Sequence, residues 1–138
     1  MLDVHLDSIY MFVRLAQLIS RINLAKAQRI NSFKIVNSKV NFAVLFKLEE
    51  LGILRGFQVE EESLFVFMKY VKNRVPFTRI WLVGKSSRRA YVTLEKLHYL
   101  ADKNGSSIFV LSTGYGLLSH SECFALRCSG EIIIKIDL

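Results

Sequence analysis

The sequence predicts an α/β chain, of the mixed α+β kind, in two small lobes. Apolar residues recur at spacings of three and four in two separate segments, which is the period of an amphipathic helix. Runs of β-branched and aromatic residues, such as residues 63–71 and 130–136, are typical of strands. The single proline, Pro76, follows a short polar segment, so we predict an N-terminal lobe of residues 1–74 and a C-terminal lobe of residues 75–138.

The N-terminal lobe is predicted to hold two helices and three strands. Asp7 or Ser8 caps the first helix, Asn37 and Ser38 precede the second helix as caps, and Gly52 ends it. The basic segment after the first helix lacks an apolar period, which predicts a loop or a frayed helix end. In chain order the predicted elements are a helix over 7–23, a loop over 23–31, a strand over 33–36, a helix over 39–51, and strands over 53–59 and 63–71.

The C-terminal lobe is predicted to be mostly β-structure with two short helices. Thr93 is a suitable cap for the first helix. Ser119 and Glu122 have the spacing of a capping box at the start of the second helix. In chain order the predicted elements are a strand over 79–83, a polar turn over 84–89, an extended start over 90–93, a helix over 94–102, a strand over 107–112, a helix over 119–126 and a strand over 130–136.

Positive charge is concentrated in two blocks of the chain, which has a formal net charge of +7. Residues 1–48 carry +5 and residues 63–103 carry +7, whereas residues 49–62 carry −4 and residues 104–138 carry −1. This surplus favours a polyanionic partner, namely RNA, DNA or an anionic membrane surface. Apolar residues make up 51% of the chain, which is enough for a buried core and argues against long disordered stretches.

A segment rich in hydroxyls and glycines lies between two apolar runs near the C-terminus. We call residues 112–116, Ser-Thr-Gly-Tyr-Gly, the hydroxyl–glycine segment. The hydroxyls of Ser112 and Thr113 suit the 2′-hydroxyls of RNA. Gly114 and Gly116 carry no side chain, so backbone amides there can approach a sugar or phosphate closely. In the alternative interpretation, which the residues leave open, these glycines serve turn geometry alone.

Three cations, Lys85, Arg88 and Arg89, lie in one short polar turn directly before Tyr91. Side chains of this kind can span successive phosphates, and their contacts are sensitive to salt. Tyr91 can stack on a base or a sugar; the alternative is that its ring belongs to the core. Together with the net charge, this turn predicts an RNA-binding surface.

A small serine hydrolase is one alternative, with Ser112 or Ser119 as the nucleophile. A nucleophile turn reads G-x-S-x-G between a strand and a helix. At the matching place this chain has Tyr115 between the two glycines, and a phenol is no serine nucleophile. His120 is predicted to be a solvated residue in the first turn of a helix. We therefore predict that the chain is not an enzyme.

No cofactor and no metal site is predicted. His120, Cys123 and Cys128 match no standard zinc spacing and lack a fourth ligand. The two cysteines lie on a helix and its exit, where they are poorly placed for a disulfide. A chain with two unpaired cysteines favours a reducing compartment.

A peripheral membrane protein is the other alternative, with the first helix lying on an anionic surface. Asp3 and Asp7 argue against such a helix, and they also argue against a transit peptide. Arg14 and Arg21 interrupt the apolar runs too early for a membrane span. No targeting or transmembrane segment is predicted.

Several short motifs occur together that are typical of one ribosomal protein family. The second helix begins Asn-Ser-Lys and ends Leu-Gly-Ile, the basic turn ends Arg-Ala-Tyr, and the last two motifs are Leu-Ser-Thr-Gly-Tyr-Gly and Ser-Gly-Glu. The motifs occupy residues 37–39, 51–53, 89–91, 111–116 and 129–131, with Leu118, Ser119 and Ala125 also matching. On these residues the chain resembles the universal eighth protein of the small ribosomal subunit over nearly its whole length, and the C-terminal motifs are the most specific.

The resemblance implies a structural constituent of the small ribosomal subunit. It implies a primary binder of the central domain of small-subunit ribosomal RNA, which aids RNA folding and subunit assembly, with neighbouring small-subunit proteins as further partners. It implies no small-molecule substrate and no membrane. By resemblance, Lys39 reaches RNA from the N-terminal lobe, and Gly130 and Glu131 support the face that carries the other contacts. The predicted RNA-binding residues are Lys39, Lys85, Arg88, Arg89, Tyr91, Ser112, Thr113, Gly114, Tyr115, Gly116, Gly130 and Glu131.

The chain departs from the pattern of that family at three places. Gly114 stands where the family has a third hydroxyl, Tyr115 stands where it has a lysine, and residues 85–87 replace an Arg-Pro-Gly turn. We therefore expect a docking site that reads a diverged RNA, with Tyr115 stacking in place of the lost cation. Divergence together with Phe-rich and Ile-rich strands predicts an organellar ribosome in the mitochondrial matrix, with another organelle or a bacterial cytoplasm as the alternatives.

Overall fold

The computed structural model describes residues 4–83 and 91–138. These ranges contain both helices and strands, and all pairs of strands are antiparallel, which confirms the predicted α+β class. The helices are α1 (Val4–Gln28), α2 (Lys39–Glu50), α3 (Leu94–Lys103) and α4 (His120–Leu126), and the strands are β1 (Ser32–Val36), β2 (Leu54–Glu60), β3 (Ser63–Met68), β4 (Arg79–Leu82), β5 (Ser107–Thr113), β6 (Gly116–Ser119) and β7 (Glu131–Asp137).

The strands form two sheets. The first has the order β1-β3-β2, so that β1 and β2 are its edges, and an acidic turn with Glu61 in the left-handed region joins β2 to β3. The second has the order β4-β7-β5-β6, with the C-terminal strand β7 in its interior. Isoleucines at three successive positions of β7, residues 132–134, are all buried. Such a continuous apolar run is what a strand covered on both faces requires.

Helix α1 begins at Val4 and runs to Gln28, so the predicted caps Asp7 and Ser8 lie inside the helix. Of the two alternatives predicted for residues 23–31, a loop or a frayed helix end, the loop is wrong for most of its length. Asn23 donates from Nδ2 to the carbonyl of Ile80 at 2.9 Å and accepts from the Ile80 backbone N–H at 3.2 Å. Lys26 donates from Nζ to the carbonyl of Thr78 at 2.6 Å. These long-range bonds to the start of β4 hold the last turns of the helix, which local periodicity alone did not predict. The helix ends at Arg29, whose φ of 56° leaves the helical region.

The predicted helix signals in the rest of the chain are confirmed. The Ser38 side chain accepts from the Asn41 backbone N–H at the start of α2, and Thr93 accepts from Lys96 at the start of α3. Gly52 follows α2 with a φ of 79°, a conformation that glycine adopts without strain. Local capping chemistry therefore positions both helices without help from distant residues.

One hydrophobic core lies between the two sheets and the long helix. Leu18 and Ile22 of α1 pack in it with Ile80 of β4 and Ile134 of β7, and all four are fully buried or nearly so. The core thus continues across the junction of the two lobes. The division of the chain between residues 74 and 75 stays a prediction.

The apolar stripe of α1 belongs to this core. Leu15, Leu18 and Ile22 are buried in it, so these side chains are not available as the membrane anchors that the peripheral-membrane alternative requires. Within the described ranges, no helix combines the length and the apolar character needed to cross a membrane. In the same ranges, no three residues of the metal-ligating types come together in a way that could hold an ion.

Candidate nucleic-acid interface

The hydroxyl–glycine segment forms the tip of a hairpin between β5 and β6. The pairing Thr113↔Gly116 closes the hairpin and leaves Gly114 and Tyr115 as the two turn residues. Strand β6 was not predicted, because its four residues contain a glycine and a serine and are too short for a clear alternation. Gly116 has a φ of 98°, so here turn geometry does require glycine.

The Thr113 hydroxyl stabilises this tip from within. It accepts a hydrogen bond from the Tyr115 backbone N–H at 3.0 Å and donates to the Gly116 carbonyl at 2.9 Å. A hydroxyl has one proton and two lone pairs. One lone pair of Thr113 therefore remains for an outside donor such as a ribose 2′-hydroxyl, while its own proton is already used.

Tyr115 projects from the tip into solvent. Its relative exposure of 70% is the highest among the large hydrophobic residues that are exposed in the described ranges. Gly114 beside it is exposed and has no atom within 4 Å of the place where a Cβ would stand. The tip therefore presents one free aromatic ring next to an open stretch of backbone.

A row of residues across the sheet connects this hairpin with Tyr91. Tyr91 forms an isolated antiparallel bridge with Glu131 of β7, and Glu131 in turn pairs with Ser112 of β5. The Val92 backbone N–H donates to the Gly130 carbonyl at 3.2 Å and fixes the same junction. Three segments that are distant in sequence are thus brought side by side, as a shared binding face requires.

Tyr91 lies at the surface end of this row. Its relative exposure is 62%, which rules out the alternative that the ring belongs to the core. Glu131, by contrast, is buried within the sheet. Glu131 can therefore support the face from below, while the Tyr91 ring is open to solvent.

Gly130, directly before β7, lies close against the backbone of β5 at Ser112. A Cβ at this position would collide with the Ser112 carbonyl oxygen and would stand 3.1 Å from Cγ2 of Thr113. The absence of a side chain therefore brings β7 against the base of the hairpin. This close approach, rather than a left-handed conformation, is the reason for glycine here.

A buried lysine joins α2 to α4 by ion pairs with two partly exposed carboxylates. Lys47 of α2, whose side chain is only 6% exposed, donates from Nζ to Glu122 of α4 and to Glu50 at 2.7 Å. Burial lowers the pKa of Lys47, but the hydrogen bonds to Glu122 and then to Glu50 outweigh burial, and the pKa lies above its ordinary value. No local pattern indicates this pair, because residues 47 and 122 are brought together only by the fold.

Glu122 also caps α4, as the predicted capping box requires. Its side chain accepts from the Ser119 backbone N–H at 3.0 Å, and the Ser119 hydroxyl accepts from the Glu122 N–H at 3.3 Å. The hydrogen bond from Lys47 and then that from the Ser119 backbone hold the pKa of Glu122 below its ordinary value. One carboxylate thus fixes both the start of α4 and its contact with α2.

His120 is not the solvated residue that the sequence predicts. Its ring is partly buried between Phe109 and Phe124, and Nδ1 accepts from the Phe109 backbone N–H at 3.1 Å. Burial lowers the pKa of His120, so the ring is held in its neutral form. In the part of the chain that the structure describes, neither Ser112 nor Ser119 is hydrogen-bonded to this ring. The nucleophile–base pair of the hydrolase alternative is therefore not assembled here.

The two cysteines are free thiols. Cys123 is buried in a small cluster with Leu97 and Leu111, and burial raises the pKa of its thiol to about 12. The Cys128 backbone N–H donates to the Cys123 carbonyl at 3.1 Å, at the end of α4. A buried thiol of high pKa is unreactive, so Cys123 contributes packing.

The remaining predicted contact residues are cations outside this row. Lys39 is exposed at the first position of α2, two helical turns before Lys47. Lys85, Arg88 and Arg89 lie outside the described residues, and their contribution stays a prediction.

Comparison with known proteins identifies the family. The family model described as "Ribosomal protein S8" matches residues 14–136. The chain is 29% identical over 124 residues to the small ribosomal subunit protein uS8m of Acanthamoeba castellanii, covering 89% of this chain and 98% of that protein. It is 33% identical over 128 residues to uS8 of Chlamydia abortus, covering 88% and 94%. It is 28% identical over 122 residues to uS8 of Oleidesulfovibrio alaskensis, covering 88% and 95%.

The family match spans both lobes, from the middle of α1 to the end of β7, and so includes every element that builds the hairpin and its supports. Members of this family are structural and non-enzymatic proteins of the small subunit, and binding of ribosomal RNA is typical of them. The resemblance drawn from the sequence motifs is confirmed. This chain belongs to the ribosomal protein S8 family.

Proposed function

We propose that this protein binds the central domain of small-subunit ribosomal RNA through the hairpin tip, the row that leads to Tyr91, and the basic turn directly before Tyr91 in the sequence. The observation that carries this proposal is that Tyr115 and Tyr91 are both exposed and are connected by the paired residues Ser112 and Glu131, with side-chain-free backbone beside the tip. Exposed aromatic rings next to an accessible backbone are a common platform for unstacked nucleotides.

The direct contacts are divided between rings and polar groups. Tyr115 and Tyr91 stack on bases or sugars, and the open backbone at Gly114 approaches the ribose–phosphate chain. The Ser112 hydroxyl and the free lone pair of Thr113 bind 2′-hydroxyls. Gly130 and Glu131 act beneath the surface, where they hold β7 against the hairpin and so fix the distance between the two rings.

Charge is supplied from outside the hairpin. Lys39 extends the contact from α2, and Lys85, Arg88 and Arg89 neutralise phosphates from the basic turn. Phosphate contacts fix position and add affinity, whereas base and sugar contacts select the site. The protein assists assembly in this way, because neutralised phosphates allow RNA segments to approach one another.

Replacement of Lys85, Arg88 and Arg89 by alanine together tests the charge contribution. We expect affinity for a central-domain transcript to fall by about 10-fold at moderate salt. The slope of log affinity against log salt should become shallower by about 2 to 3 units. Binding of the variant neutralises fewer phosphates and therefore releases fewer counterions from the RNA. Filter binding or fluorescence polarisation across a salt series measures both quantities.

A matched control removes three cations elsewhere. Arg55, Lys72 and Arg74 are exposed residues of the N-terminal lobe, and their replacement changes the net charge equally. The control should change the slope by less than the test variant does. Equal slopes for the test variant and the wild type would refute the assignment of the basic turn.

We propose the mitochondrial ribosome as the place of action. The uS8m relative of Acanthamoeba castellanii supports this location, whereas the bacterial relatives are also similar and support a bacterial-type ribosome more generally. The tip carries Tyr115 in place of the family's lysine and Gly114 in place of its hydroxyl, which suits an RNA that has diverged from the bacterial one. Fluorescence localisation of a tagged chain, with a mitochondrial marker, tests this location.

A further inference from the structure

We propose that the outer edge of β1 binds an extended, acidic segment of a partner protein as an additional strand. The site is a groove of about 950 Å³ between α1 and β1, which we call the edge groove. It lies on the first sheet, away from the hairpin of β5 and β6, and it does not depend on the RNA contacts proposed above.

The backbone of β1 has one side paired and one side open. The register pairs Phe33 with Val66 and Ile35 with Leu64 of β3, and bonded pairs alternate with non-bonded pairs along an antiparallel ladder. The flanking bonds, from Asn37 N–H to the Glu62 carbonyl and from Met68 N–H to the Asn31 carbonyl, fix the odd-numbered residues as the bonded ones.

The even-numbered residues of β1 therefore direct their N–H and C=O groups away from β3. The Val36 carbonyl accepts from Asn41 Nδ2 at 2.9 Å. Within the described part of the chain, no hydrogen bond occupies the N–H or C=O of Lys34 or the N–H of Val36. Open edge groups of this kind are the template on which an added strand forms.

The wall opposite this edge is formed by α1, which contributes both apolar and polar residues to it. Phe12, Val13 and Ala16 are the apolar part of this wall, and Val36 lies at the end of the strand beside it. Val13 and Val36 are both exposed hydrophobic residues. A strand in the groove would place alternate side chains against this wall, which selects for apolar residues at every second position.

The polar lining of the groove favours an acidic occupant. Arg14, Arg21 and Lys34 line it, against the single carboxylate of Glu62. Opposite charges across an interface speed association and discriminate against wrong partners. An acidic and apolar alternation is therefore the pattern that fits both walls.

The same cations argue against a nucleic acid in the groove. Each lies over the face of an aromatic ring, with Arg14 4.9 Å from the Tyr10 centroid, Arg21 5.1 Å from Phe33 and Lys34 5.5 Å from Phe65. The ring face under each cation is covered and is not available to stack with a base. A nucleic acid also cannot continue the alternating N–H and C=O pattern of the β1 edge as an added strand, whereas an extended peptide can.

The test uses the whole protein and two labelled octapeptides, one alternating Glu with Val and one alternating Lys with Val. We expect the acidic peptide to bind by fluorescence polarisation, at least 10-fold more tightly than the basic one. In hydrogen exchange, the amides of Lys34 and Val36 should exchange fast in the free protein. They should become protected with the acidic peptide bound, because an added strand bonds them.

Two pairs of variants localise the effect. Lys34→Pro removes the open N–H at a position that edge strands tolerate, whereas Lys34→Gln keeps that N–H and removes only the charge. We expect Lys34→Pro to abolish binding and Lys34→Gln to weaken it only a few-fold. Val13→Glu on the groove wall should weaken binding at least 10-fold, and Val59→Glu, on the opposite edge strand of the same sheet, should not.

Thermal unfolding of each variant separates loss of binding from loss of folding. If Lys34→Pro does not fold, the binding of the acidic peptide to Val13→Glu decides whether the edge groove is the site. The proposal is overturned if the acidic peptide fails to protect the two amides, or if Val13→Glu binds it as the wild type does. Protection of the same amides by an octameric RNA, or by a second copy of the chain, would also overturn the proposal by assigning the edge to another occupant.

The affinity of Val13→Glu for central-domain RNA should be unchanged. Failure of the edge-groove proposal is therefore distinguishable from failure of the RNA-binding proposal.

Discussion

Lys47→Ala is expected to lower the free energy of unfolding by about 2 kcal/mol, because it removes a buried aliphatic stem and the ammonium group that joins α2 to α4. The carboxylates left behind, Glu122 and Glu50, have side chains that are 40% and 52% exposed and are rehydrated, so the substitution leaves no buried charge unpaired. Urea denaturation of the two proteins measures the difference. Lys47→Met retains the apolar stem and removes the charge, so comparison with alanine separates packing from pairing.

The ion pair of Lys47 and Glu122 makes the free energy of unfolding depend on pH. The pKa of Glu122 is depressed in the folded state, so its contribution is complete above the ordinary value of 4.5 and is lost as pH falls through the folded pKa. The pKa of Lys47 is raised, so its contribution is complete below the ordinary value of 10.5 and is lost as pH rises through the folded pKa. The two shifts describe one interaction, which is therefore intact between these limits.

His120 adds a separate effect on the acid side. Its pKa is lowered by burial, so the stability of its neutral form is complete above the ordinary value of 6.5 and declines below it. Glu122 and His120 thus both make the folded protein less stable in acid. In Lys47→Met the decline below pH 4.5 should be smaller than in the wild type. Identical acid profiles for the two proteins would show that the Lys47–Glu122 pair does not stabilise the fold.

Gly130→Ala is expected to destabilise the protein by about 2 to 3 kcal/mol and to weaken RNA binding as well. The new methyl group would meet the Ser112 carbonyl, which belongs to the backbone and cannot turn away as a side chain can. Relief requires β7 to move from the base of the hairpin, which displaces Ser112 and the bridge to Tyr91. Thermal or urea unfolding measures the first effect, and transcript binding measures the second.

Gly114→Ala is the matched control for this substitution. A Cβ at Gly114 meets nothing within 4 Å, and its backbone is not in the left-handed region. Stability should change by no more than about 0.5 kcal/mol. Equal stability of Gly130→Ala and Gly114→Ala would contradict the close approach described for β7 and the hairpin.

Much of the fold was predictable because its signals are local. The caps at Ser38, Thr93 and Ser119 each involve residues three positions apart. The strand that follows the acidic turn at Glu61 is a run of aromatic and other apolar residues, which is visible directly in the sequence. Such features depend on the chain's own neighbours, and the structure confirms them.

Most errors of the sequence-based prediction occur where contacts between residues distant in sequence determine the local structure. The last turns of α1 carry a basic, weakly periodic sequence and are helical because Asn23 and Lys26 bind the backbone at the start of β4. Strand β6 forms because β5 offers it a partner, although its own four residues are weak in alternation. His120 is partly buried because a backbone N–H of β5 requires an acceptor.

The candidate site was predicted as separate pieces. Its residues were identifiable from charge, hydroxyl and glycine content and from family motifs, but the sequence did not reveal that Tyr91, Glu131 and Ser112 lie in one row. Nor did it reveal the buried Lys47 that supports the site from the other lobe. Register between strands and contacts between lobes are properties of the assembled sheet, which a single sequence does not encode visibly.

The RNA affinity of Tyr115→Ala, compared with that of Tyr99→Ala, tests the central claim most directly. Tyr115 is 70% exposed at the hairpin tip, and Tyr99 is 61% exposed on α3. Neither substitution should change stability by more than about 0.5 kcal/mol. With a central-domain transcript at fixed salt, Tyr115→Ala should bind about 5-fold to 150-fold more weakly, because one stacked ring is lost, and Tyr99→Ala should bind as the wild type does. Unchanged affinity for Tyr115→Ala, or an equal loss for both variants, would contradict the account.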